Sequence, residues 1–216
     1  MTSPTISISS FKGEQNMLTG KDYRQLAKAS LGDKIFGSIW LMAVVTTIVY
    51  TAVTGIAGVI PGVGSVISIL ITGAISTGIY SIFLKLSRGS RNIQLSDMFN
   101  HFDGSSIVLG LLTAIFTVLW SLLFIIPGII MAYSYSMVYF VHLDHPEYTA
   151  RQCLSESTRL MRGNKWRLFC LQFSFIGWEI IGSLCLGIGI LWVSAWSTAA
   201  TAEFYNDLIA HDTEAV

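Results

Sequence analysis

Three long stretches of the chain are nearly free of charge. No Asp, Glu, Lys or Arg occurs between Ile35 and Leu84 or between Gly104 and Val141, and from Leu168 to Ala202 the only charged residue is Glu179. About 20 consecutive apolar residues carry a helix across the hydrocarbon core of a bilayer. The fifty residues of the first run would form a helix of about 75 Å, so that run has to turn back. Proline and glycine mark where the reversals fall: Ile60-Pro61-Gly62-Val63-Gly64, Ile126-Pro127-Gly128 and Gly187-Ile188-Gly189. The pattern predicts six spans in three hairpins, at 35–59, 63–85, 105–126, 128–143, 167–186 and 189–208. The alternatives are a single proline-kinked helix for the second run, and a chain of five spans, since the last one runs into Glu203. Each hairpin follows a polar lead-in, a weak internal repeat that a shared turn chemistry explains as well as duplication does.

Two polar segments between these runs have helical periodicity. Tyr23, Leu26, Ala27 and Leu31 form one face of a helix over 21–31. A second helix is expected from about Pro146 to Arg162, capped by Asp144 and ended by Gly163-Asn164. Its apolar face holds Ala150, Cys153, Leu154 and Met161, and its polar face holds Arg151, Glu156, Arg159 and Arg162. Such a helix suits an anionic leaflet, with Arg151, Arg159 and Arg162 touching lipid, and it suits equally well the base of a bundle.

Charge then orients the array. All 13 Lys and Arg residues lie before the first span, between the second and third or the fourth and fifth, or, as Lys85 and Arg167, at the span ends that border those segments. Basic flanks mark the cytoplasmic side, so both termini are expected in the cytoplasm and the three short turns outside. Residues 1–20 read as a polar, flexible segment, 21–209 as a single transmembrane helical domain and 210–216 as a tail. The first 30 residues lack the early apolar core of a signal peptide.

Composition agrees with this reading. The chain is 52% apolar and 12% charged, about half the charge of a soluble domain, and its mean hydropathy is +0.61. Its formal net charge is zero and it has no nucleic-acid module, so no nucleic-acid partner is expected. The three cysteines include no CxxC pair.

Chemistry is sparse. The chain contains no GxSxG, HExxH, Walker loop, GxGxxG or paired Cys and His motif. His142, Asp144 and His145 are weak metal candidates at the end of the fourth span, where a helix exit explains them better; no cofactor is expected. Tyr80, Tyr133, Tyr135 and Tyr139 could line a polar path or bond between helices. Glu179 falls near mid-membrane, about 18 Å along the helix from Arg167. A carboxylate there is a candidate functional group. It is expected to face the bundle interior, as a hydrogen-bonded acid or a cation site.

Residues 157–169, Ser-Thr-Arg-Leu-Met-Arg-Gly-Asn-Lys-Trp-Arg-Leu-Phe, followed by Ser174-Phe175-Ile176-Gly177-Trp178, resemble the bacterial domain-of-unknown-function 975 integral membrane proteins. Ile126-Pro127-Gly128, Tyr133 to Met137, Gly187-Ile188-Gly189, Phe204-Tyr205 and the lead-in Arg24, Ala27, Lys28 and Leu31 are also similar. The chain departs from that pattern at Ala195-Trp196, where a Pro-Tyr pair is expected. The resemblance implies a polytopic membrane protein. It implies no activity, substrate or catalytic residue. The expectation is a non-enzymatic accessory or interaction protein of the cytoplasmic membrane, in contact with lipid and with a protein partner or a second copy of itself. The alternative is a small oligomeric transporter or channel that uses an intramembrane carboxylate.

Overall fold

The computed structural model describes residues 18–32, 37–58, 63–90, 94–99, 103–123, 125–184 and 188–214. The side chains of 53–71, 95, 98, 120–127, 184–188, 213 and 214 lie outside the description, as do residues 59–62 and 185–187 at the first and third Pro/Gly breaks. The second, Ile126-Pro127-Gly128, is no turn but lies in the first turn of the helix Ile125–Ser134, where proline is tolerated because the first amides of a helix have no partner in it. All regular structure among the described residues is helical. The helices are α1 Gly20–Leu31, α2 Ser38–Gly58, α3 Val63–Ser87, α4 Gly104–Leu123, α5 Ile125–Ser134, α6 Val138–Asp144, α7 Ala150–Leu160, α8 Lys165–Leu184 and α9 Ile188–Glu214, with a 3-10 turn at Leu95–Met98.

Four of the six expected spans coincide with single helices to within three residues, and the sixth is also one helix, though α9 continues past 208 to Glu214. The fourth is not: it is broken into α5 and α6 by a turn at 135–137. Ser134 and Ser136 turn their hydroxyls back on the carbonyls of Ile130 and Tyr133, at 2.9 and 2.8 Å. Serine side chains that bond the preceding turn compete with the helical ladder and bend or end it.

Among the described residues, no helix is long and apolar enough to cross a membrane. The apolar segments 53–71, 120–127 and 184–188, which the sequence pattern counts within its spans, lie outside the described side chains.

The chain divides into two compact units. One comprises 1–44, 83–93 and 166–216, the other 45–82 and 94–165. In the first, α1 buries Tyr23, Leu26, Ala27 and Leu31, the face that helical spacing marks. It packs along α9. Thr19 and Asp22 form a capping box that satisfies two of the orphan amides at the start of α1. Gly32 ends the helix at φ +95°, a conformation that L side chains rarely adopt.

In the second unit, α3 and α4 cross at Gly73 and Gly110. A Cβ built on Gly110 would lie 2.3 Å from the Gly73 Cα, so only glycine fits at this crossing. Asp103 caps α4, accepting from the Ser106 amide at 3.2 Å and from the Ser105 hydroxyl. Burial alone would raise its pKa, but these hydrogen bonds outweigh burial and hold the carboxyl below its usual range.

The expected 146–162 helix is shorter, running from Ala150 to Leu160. Its cap is Thr149 in a capping box with Gln152, because that pair satisfies the first amides directly while Pro146 sits in the preceding turn. Gly163, at φ +84°, and Asn164, whose amide reaches the Leu160 carbonyl at 3.2 Å, end it as expected. Cys153 and Leu154 are buried, and Ser157 donates to the Ser134 carbonyl at 2.7 Å. The apolar face of α7 therefore packs on protein.

Candidate functional site

A dense polar cluster gathers on Asp207, one turn beyond Glu203 on α9. Asp207 has 4% of its side chain exposed and accepts from the Arg167 guanidinium of α8 at 2.9 Å. The Tyr23 hydroxyl of α1 donates to the same oxygen at 2.5 Å. Arg167 also donates to the Tyr23 hydroxyl at 2.6 Å and to the Leu18 carbonyl at 3.2 Å. His211, one turn on, lies 3.4 Å from the second carboxylate oxygen. The guanidinium packs over the rings of Tyr23 and Phe204, at 6.0 and 5.4 Å from their centroids, within the reach of a cation–π contact. Burial, and then the hydrogen bond to Asp207, push the Tyr23 phenol well above its ordinary pKa, so it stays a neutral donor.

One turn earlier, the buried Glu203 accepts from Ser30 at 2.5 Å. The Trp196 indole donates to the Arg24 carbonyl at 3.0 Å. Arg88 and Ser87, at the end of α3, bond Asn206 at 3.3 and 2.9 Å. Together these contacts fasten α1, α3 and α8 to one face of α9. Asp207 is engaged by a cation, a phenol and a histidine, an arrangement suited to clamping helices.

A second cluster surrounds His142 of α6. The hydroxyls of Ser105 and Ser106 each lie 3.4 Å from its Nε2, and the Cys153 sulfur lies 4.0 Å from its Nδ1. Burial pushes the Cys153 thiol up to about 11, so it is not a ready nucleophile at neutral pH.

The residues singled out from the sequence scatter. Tyr80 and Tyr139 stack at 5.3 Å, with Phe140 edge-on to Tyr80 at 4.8 Å. Tyr135 borders a groove beside α7. The Tyr133 carbonyl accepts from Ser136 across the α5–α6 turn. His142 points inward, whereas His145 is exposed, stacked on Tyr148 at 4.5 Å and paired with Glu147 at 3.1 Å. Among the described residues, no group of three His, Cys, Asp or Glu side chains could hold a metal ion. Arg151, Arg159 and Arg162 are exposed, and Arg159 is paired with Glu156 at 2.7 Å.

Glu179 departs most from expectation. It is exposed, because every position of α8 from Ile176 to Ile181 is exposed and the helix there leaves its packed face. Among the described residues, the buried carboxylates are Glu203 and Asp207, which a search for charges inside the apolar runs misses because they lie where the third run ends. Their spacing of four, repeated from Ala199 on the buried face of α9, was the available signal.

A family model described as protein of unknown function (DUF975) matches residues 17–134 and 122–212. The chain belongs to the DUF975 family. No curated protein and no solved structure matches it. In this DUF975 chain the matched region takes in the whole of the Tyr23, Arg167 and Asp207 cluster and all of α7.

Proposed function

We propose that this DUF975 chain is a non-enzymatic integral protein of the cytoplasmic membrane, multi-pass, with both termini inside, acting as an accessory or interaction protein. One observation carries the reading: beside its apolar core, the chain exposes many large apolar side chains on its helices. Val118 is 65% exposed, Leu119 58%, Phe173 61% and Ile181 59%, while two carboxylates of α9 are 2% exposed. Apolar surface of that extent calls for lipid or a protein partner to cover it. The charge-free runs and the one-sided distribution of Lys and Arg support lipid.

Purification from mild detergent, followed by identification of co-eluting proteins, tests the interaction reading. A stoichiometric partner, lost when the chain is omitted, is expected. A second reading, a small oligomeric transporter or channel, draws on Glu203, which is buried where Glu179 is not. Solute flux in proteoliposomes that Glu203→Gln abolishes and Glu179→Gln leaves intact would favour transport.

A further inference from the structure

Beside α7 lies a cavity of about 540 Å³ whose walls differ sharply in chemistry. Its apolar part is made by Phe116 of α4, Met131 of α5 and Leu154 of α7. Its polar part carries Arg151, Arg159 and Arg162, which recur along one face of α7 and the turn after it. Arg159 is held by both carboxylate oxygens of Glu156, at 3.0 and 2.7 Å. Among the described residues, Arg151 and Arg162 have neither an ion pair nor a side-chain hydrogen bond.

We propose that this groove binds one anionic phospholipid, its charged head group drawn to Arg151 and Arg162 and the start of an acyl chain lying against Phe116, Met131 and Leu154. Charge complementarity selects the head group. Two guanidiniums without a counter-ion, over a low-dielectric floor, favour a phosphate that accepts paired N–H bonds. The apolar walls select a lipid over a free anion, since a free phosphate would gain nothing from them. Arg159 stays on Glu156 and fixes the wall between the two. The neighbouring Ile129 and Ile130 of α5 and Ile115, Val118 and Leu119 of α4 are exposed, so apolar surface continues along the same two helices.

The inference rests on the membrane reading, but its test is separate. Detergent-purified full-length chain is titrated with short-chain phosphatidylglycerol below its micelle concentration, with phosphatidylcholine of equal chain length and with inorganic phosphate. Saturable binding of the phosphatidylglycerol is expected, with little binding of the other two. The Arg151→Gln, Arg162→Gln double variant should weaken binding about thirtyfold, from the contribution of two cations to anionic lipid. Ser155→Trp, at an exposed lining position, should weaken it by filling the groove with the cations intact. All the substituted side chains are exposed, so unchanged circular dichroism is expected throughout. Equal binding of phosphatidylcholine, full displacement by millimolar inorganic phosphate, or wild-type affinity in the double variant would overturn the proposal. A chain that proves extractable without detergent yet binds phosphatidylglycerol would overturn the membrane reading and leave this one standing.

Discussion

Arg167 and Asp207 show how much of one unit hangs on a single ion pair. The carboxylate is almost wholly enclosed and the guanidinium is one-fifth exposed, so removing one partner strands the other. Asp207→Ala should cost about 3 kcal/mol, the usual penalty for breaking a buried pair. Tyr23→Phe removes one hydrogen bond to a charged group and should cost about 1.5 kcal/mol. Thermal unfolding in detergent checks both, and Asp207→Ala should lower the melting temperature more. Cys153 gives a pH prediction. Its thiol is raised from about 9 to about 11 by burial, so its stabilising contribution is complete below about 9 and is lost as the pH climbs through 11. Alkylation of Cys153 should be slow at pH 8 and accelerate only toward that upper limit; rapid labelling at pH 8 would mean that the α6–α7 packing opens.

Helix contacts set the next level. Gly110 and Gly73 let α3 and α4 approach to backbone contact. Gly110→Val should cost about 2 kcal/mol or more through overpacking. Gly177→Ala, where nothing lies within 4 Å, should be neutral or mildly stabilising through helix propensity. Equal effects in an unfolding assay would refute the crossing. Helix positions were legible in the sequence because charge-free length and Pro/Gly punctuation are strong one-dimensional signals. So was the buried face of α1, which four residues at helical spacing specify. The break between α5 and α6 was not legible, since it depends on two serine hydroxyls turning onto local carbonyls. The polar site was the least legible part. Glu179 stands alone in an apolar run, but burial depends on which helix lies opposite. Asp207 is buried because α1 and α8, distant in sequence, deliver Tyr23 and Arg167 to it.

At the scale of the whole molecule, the reading depends on whether the exposed apolar helices lie in lipid. The basic residues make this a directional claim, since all 13 fall on one side of the proposed array. Reporter fusions after Gly62, Gly128, Asn164 and Val216, each active on only one side of the membrane, measure it directly. External activity is expected at Gly62 and Gly128 and cytoplasmic activity at Asn164 and the C-terminus. Cytoplasmic activity at all four positions, with the chain recovered in the aqueous fraction, would contradict it.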